Sequence, residues 1–166
     1  KIGENQFSWH KIQPQWPEIN YYKSLTVQLL RRVDSWVKEN APSTSRYDVM
    51  GFSQGAVMAY ALAILHPDKV GRIAAIAGFI PQRWQQQLVQ TALVQKNFFI
   101  AHGTEDEIIP LEQAQKTAQW LDEKGANVHF CTAEIGHKIS ASCFNGLGEF
   151  FQQNERSATA DQGNHS

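Results

Sequence analysis

In the stretch VMGFSQGAVM, Val49 to Met58, one hydroxyl stands between two glycines in an otherwise apolar run. A structural serine would need a single backbone partner and no glycine on either side. A sharp corner between a strand and a helix does need small neighbours, because the two backbones must approach while the hydroxyl stays exposed. Gly51-x-Ser53-x-Gly55 therefore reads as a nucleophile elbow, with Ser53 as the attacking group. A serine hydroxyl attacks poorly near neutral pH and needs a base; an imidazole, with an ordinary pKa of about 6.5, can take the proton and later return it. The imidazole needs a carboxylate at its other nitrogen, which fixes the tautomer and balances the developing charge. His137 and Asp106 are expected to fill these two roles.

Other residues compete for them. Glu105 and Glu107 flank Asp106, but a strand-end loop of the form Gly-x-x-Asp turns its last carboxylate inward, which favours Asp106. His102 precedes Gly103 and could mimic an oxyanion-loop His-Gly pair, but its place at the end of a late strand favours a structural histidine hydrogen-bonded to the Asp106 loop. His129 falls inside a strand, and His10, His66 and His165 fit no strand end. No pair of histidines has metal-ligand spacing, so metal catalysis is not expected.

These side chains must be positioned by the elements around them. Arg46 to Met50 reads as a short strand, and Ala56 to Leu65 as a long helix-forming run closed by His66-Pro67, so strand, turn and helix follow in order around Ser53. Upstream, Ile19, Tyr22, Leu25, Leu29, Val33, Trp36 and Val37 draw one stripe along a helix from Pro17 to Asn40. Downstream, Ile73 to Ala77 is a buried strand stopped by Gly78 and Pro81, and the glutamine-rich Trp84 to Gln95 reads as a short helix. Phe98 to Ala101 is another buried strand, followed by the loop from His102 to Pro110. Leu111 to Lys124 is an amphipathic helix capped by Gly125, Val128 to Thr132 a last strand, and Ile139 to Phe151 a last helix.

Strands alternate with helices without hairpins, which predicts a parallel α/β sheet covered on both faces. In such sheets functional groups gather beyond the carboxyl ends of the strands. Ser53, Asp106 and His137 each follow a strand and so fall on one edge. Their order along the chain is that of α/β-hydrolases.

The 166 residues suit a single domain, expected over residues 1–153, with a disordered tail over 154–166 that carries no apolar residue but alanine. A net charge of −1, with Arg31-Arg32 as a solvated pair on a helix, offers no footprint for nucleic acid. No apolar run approaches the roughly 20 residues that span a bilayer, and no leader pattern opens the chain, so a cytoplasmic protein is expected, although the first residue is Lys1 and not Met. Cys131 and Cys143 lack metal spacing and are expected to be free buried thiols.

With GFSQG (Gly51 to Gly55), AHGTEDEIIP (Ala101 to Pro110), IGHKIS (Ile135 to Ser140) and AGFIP (Ala77 to Pro81) in place, the chain resembles the carboxylesterase/phospholipase family of α/β-hydrolases from about Phe7 to Phe151. That group includes acyl-protein thioesterases. The resemblance implies hydrolysis of carboxylic esters or thioesters through an acyl-enzyme, without a cofactor, and an oxyanion bound by the Gln54 backbone N–H. It also implies a second donor on a His-Gly loop after the third strand. No such loop precedes Ser53, where the sequence offers only Phe7 to Ile12 and one long helix, so the first strands of the sheet are expected to be missing. The strand before Ser53 would then have a bare edge open to self-association.

Phe52, Phe79, Ile80 and Trp84 are candidate walls for a small-molecule acyl group, and equally candidate core residues. The alternative to a serine hydrolase is a truncated or degenerate domain that keeps the architecture and serves as a binding module. A peptidase on the same fold is disfavoured, because no propeller or large cap is present.

Overall fold

Four runs rich in Val, Ile, Phe and Ala form the strands of one parallel sheet, and the stripes between them form helices. The structure is a computed structural model and describes residues 16–160. In chain order the elements are α1 (Ile19–Asn40), β1 (Tyr47–Phe52), α2 (Gln54–Leu65), β2 (Val70–Ile76), α3 (Gln82–Gln87), β3 (Asn97–Gly103), α4 (Leu111–Glu123), β4 (Asn127–Ala133) and α5 (Ala141–Ala160). The strands lie side by side in the order β1-β2-β3-β4, each pair parallel.

The continuous apolar runs of β2 and β3 follow from burial on both faces. Ile73, Ala75, Phe98 and Ile100 point into a cluster shared with α1, α2 and α4. Their neighbours Ala74, Ile76, Phe99 and Ala101 point to the opposite face, against Cys143, Leu147 and Phe150 of α5. α2 is buried from Ala56 through Ile64 because it lies between the sheet and α1, which explains why it is apolar all round and not amphipathic. On α1 the buried positions are Ile19, Tyr22, Thr26, Leu30 and Val37, whereas Trp36, expected in the stripe, is exposed. Thr26 faces inward because its Oγ1 meets His66 Nε2 at 2.9 Å, tying α1 to the end of α2.

Three expectations are corrected. The helix over Trp84 to Gln95 is only the six residues of α3. Trp84 is buried there and donates its indole N–H to Pro17 O at 2.8 Å, while Leu93 leaves the helical path to donate its backbone N–H to Lys124 O. Val89 and Val94 are exposed, so no apolar face remains to extend the helix. The last helix begins at Ala141 and continues past Phe151 to Ala160. Cys131 and Cys143 are joined by a disulfide, with Cα atoms 5.8 Å apart, and are not free thiols. Cys131 lies on the face of β4 that the first turn of α5 covers, so a strand and the helix after it bring together two residues 12 apart in sequence.

Among the described residues β1 pairs only with β2, which leaves its other edge unpaired. Met50, at 61% exposure, and Phe52, at 47%, lie on the sheet face that α5 covers only in part. The Phe7 to Ile12 segment, His10 and His165 lie outside the described residues.

Candidate active site

Ser53 links Phe52, the last residue of β1, to Gln54, the first of α2, in a backbone conformation of φ 55° and ψ −117°. A non-glycine residue there costs about 1–3 kcal/mol and persists only when its surroundings hold it. They do: Ser53 N donates to Ile76 O at 2.8 Å, and Ser53 O accepts from Ala56 N at 3.0 Å and Val57 N at 3.3 Å. Gly51 is required by close approach, since a Cβ on it would stand 2.0 Å from Gly55 O. Gly55 itself is not, for nothing lies within 4 Å of where its Cβ would be. One glycine of the pair therefore makes the corner, and the other leaves open space beside it.

The second group forms where the loops after β3 and β4 meet. The Asp106 side chain is fully enclosed, whereas Glu105 and Glu107 on either side are exposed, which separates the three carboxylates. Asp106 Oδ1 accepts from the backbone N–H groups of Ile108 and Ile109, both at 2.9 Å. Asp106 Oδ2 accepts from His137 Nδ1 at 2.7 Å. Burial by itself would push the Asp106 carboxyl up; the hydrogen bonds from Ile109, His137 and Ile108 outweigh it and hold the group below the usual carboxylate range. A carboxylate only accepts, so Nδ1 carries a proton, and in the neutral ring the lone pair is on Nε2.

His102 has the structural place expected of it. It is buried, its Nε2–H donates to Ile109 O at 2.8 Å, and the same nitrogen lies 3.4 Å from Asp106 Oδ2. Its Nδ1 is buried with no hydrogen-bond partner. The His137 loop is fastened to the β3 end by Thr104 N to Ala133 O at 2.8 Å and Glu105 N to Ile135 O at 3.1 Å. That approach needs Gly103, where a Cβ would stand 2.1 Å from Ile135 O.

The two groups come together through Phe52, whose ring centre lies 4.9 Å from that of His137. Among the described residues no hydrogen bond joins Ser53 to His137. A cleft of about 580 Å³ opens over Ser53 and Gln54, with Trp16, Phe79, Ile108 and Ile109 among its walls and Gln82, Arg83 and Gln113 as its polar groups. Ile108 also borders the hollow that holds Asp106 and His137, so the two spaces adjoin.

Of the four candidate walls, Phe79 lines this cleft. Ile80 and Trp84 are buried in the core, and Phe52 stands beside the imidazole. Trp16, Ile108, Arg83 and Gln113 were missed. The adjacent Ile108-Ile109 before Pro110 carried a signal, an apolar pair in an otherwise acidic loop, with Ile108 exposed and Ile109 buried. His129 stacks on Phe99 and His66 bonds Thr26, away from this edge. Among the described residues no three of His, Cys, Asp or Glu converge as metal ligands.

The family model described as Phospholipase/Carboxylesterase matches residues 3–155. Acyl-protein thioesterase 1 of Debaryomyces hansenii is 34% identical over 93 residues, which are 54% of this chain and 40% of that protein. Acyl-protein thioesterase 1 of Aspergillus fumigatus is 26% identical over 174 residues, covering 92% of this chain and 69% of that protein. The crystal structure of a carboxylesterase from Mesorhizobium loti superposes with a TM-score of 0.75 over 90% of this chain and 70% of that one, at 20% identity, and shares the fold. The chain thus spans 40% of the length of the first of these relatives.

Proposed function

Since the chain belongs to the phospholipase/carboxylesterase family of α/β-hydrolases, we propose that it is the catalytic part of a serine hydrolase cleaving carboxylic esters or thioesters through an acyl-enzyme. The observation that carries the reading is the enclosed Asp106 bonded to His137 Nδ1, on the same sheet edge as the strained Ser53 turn. Ser53 Oγ attacks the acyl carbon as its proton passes to His137 Nε2, and Asp106 stabilises the imidazolium. The oxyanion takes the Gln54 backbone N–H at the start of α2, where the helix dipole favours negative charge. His137 then protonates the leaving alcohol or thiol. Water, deprotonated by the same imidazole, releases the acid and restores Ser53.

The cleft over Ser53 suits a small molecule with an apolar acyl group. Trp16, Phe79, Ile108 and Ile109 take the chain, and Gln82, Arg83 and Gln113 meet the polar part. The cycle consumes no cofactor. No helix among the described residues is long and apolar enough to cross a membrane. The disulfide weighs against the cytoplasmic placement expected from the sequence, because cytosolic thiol pools keep such pairs reduced.

A fluorophosphonate probe tests the reading. Covalent labelling of the wild type but not of Ser53→Ala, with hydrolysis of a short-chain aryl ester or thioester by the unlabelled wild type that is lost once the label is on, supports it. A folded wild type that takes no label supports the binding-module alternative instead.

A further inference from the structure

We propose that the Cys131–Cys143 disulfide is a positioning element for His137 that makes the activity of this site depend on the surrounding thiol poise. The inference rests on the reading of His137 as the base. Cys131 lies near the end of β4 and Cys143 in the first turn of α5, and His137 is midway between them in sequence. The bond therefore closes a loop of chain with His137 at its midpoint in sequence.

The two limbs of that loop are held differently. The strand-side limb is fastened to the β3 end by the bonds from Thr104 N and Glu105 N to Ala133 O and Ile135 O. On the helix side, Ile139 packs, only partly buried, against the cluster that includes Cys143, and Ser140 accepts from within α5 itself, through Cys143 N at Oγ and Phe144 N at O, so this limb follows the first turn of α5. That turn has few anchors. Phe144 is 62% exposed, and Cys143 is the buried residue that pins the turn to the sheet, beside Ala74, Phe99 and Ala101. Asp106 is different: its carboxylate is held within its own loop by the Ile108 and Ile109 N–H groups, and His102 bonds that loop at Ile109 O, although Glu105 N also reaches Ile135 O of the disulfide-closed loop. Opening the disulfide thus loosens the helix-side limb that leads from His137, while Asp106 keeps its own loop bonds. A misplacement of about 1 Å in a catalytic group can cost roughly 100-fold in rate.

Cys131 is only half-buried, so a small dithiol can reach it. Its thiolate attacks the disulfide, a mixed disulfide forms, and its second thiol closes a cyclic disulfide. Two electrons and two protons pass from the reductant, which is oxidised, to the two cysteines, which become thiols. A glutathione pool does the same in two steps.

The test compares oxidised and dithiothreitol-reduced wild type under native conditions, with far-UV circular dichroism alongside. Reduction should lower kcat about 10- to 100-fold while KM changes less than about threefold, with helix signal retained and activity regained on reoxidation. Cys131→Ser/Cys143→Ser should behave as the reduced form and ignore reductant. A reduced enzyme within twofold of the oxidised kcat overturns the proposal, as does loss of the helix signal on reduction, which makes the disulfide a staple of the whole fold. Proton NMR separates this inference from the assignment of the activity. The downfield Nδ1–H resonance of His137, identified by its loss in His137→Gln, should vanish or broaden on reduction even if no ester is cleaved. Its persistence overturns the positioning role.

Discussion

Gly51 lies directly under Gly55: a Cβ on the first would stand 2.0 Å from the carbonyl oxygen of the second, so the end of β1 and the first turn of α2 share a space that only hydrogen can occupy. Gly51→Ala must push these backbones apart and with them Ser53. It should cost about 2–4 kcal/mol of stability, at the upper end for overpacking, and remove probe labelling. Gly55→Ala meets no atom within 4 Å and, in a helix, should be neutral or stabilising by up to about 1 kcal/mol. Thermal unfolding of the two variants makes the comparison, and equal losses would refute it.

Ser53 sits at a positive φ that its neighbours enforce. Ser53→Ala should leave the melting temperature nearly unchanged and abolish acyl-enzyme formation. Ser53→Gly, which adopts that backbone without strain, should gain about 1 kcal/mol while also losing activity. Burst kinetics surviving in either variant would remove Ser53 from the nucleophile role.

The Asp106 carboxyl is depressed in the folded protein, because hydrogen bonds to its charged form outweigh its burial. Its stabilising contribution is therefore fully present above the ordinary carboxylate range and is lost as pH falls toward the depressed folded value. Asp106→Asn should cost about 1–3 kcal/mol at neutral pH, and the gap between wild-type and variant melting temperatures should close on acidification through that window. Activity should fall by about 10³- to 10⁴-fold, since an amide no longer fixes the imidazole tautomer. A gap that widens as pH falls would contradict the assignment.

The edge of β1 that is unpaired among the described residues adjoins a mostly apolar groove of about 550 Å³ lined by Met50, Phe144, Leu147 and Phe151, with Asp48 and Arg72 beside them. Such an edge pairs readily with other chains. We expect this chain to self-associate, and Met50→Lys, which places a charge on that face, to lower the mass seen by light scattering. Monomeric wild type at the same concentration would count against it.

Much of this was legible in residue order, because local periodicity is set by the local chain. The apolar runs of β2 and β3, the Gly51-x-Ser53 corner and the placing of Ser53, Asp106 and His137 after β1, β3 and β4 all follow from patterns of a few residues. Proximity between elements does not. The Gly-x-x-Asp loop points to Asp106 among three neighbouring carboxylates, but its bond to His137 depends on the loops after β3 and β4 meeting. The joining of Cys131 to Cys143 depends on α5 crossing the face of β4 that carries Cys131, which spacing along the chain cannot express. Ile80 and Trp84 went to the core while Trp16 and Ile108 went to the cleft, because an apolar side chain is driven to leave water but is told where only by the packing of the rest.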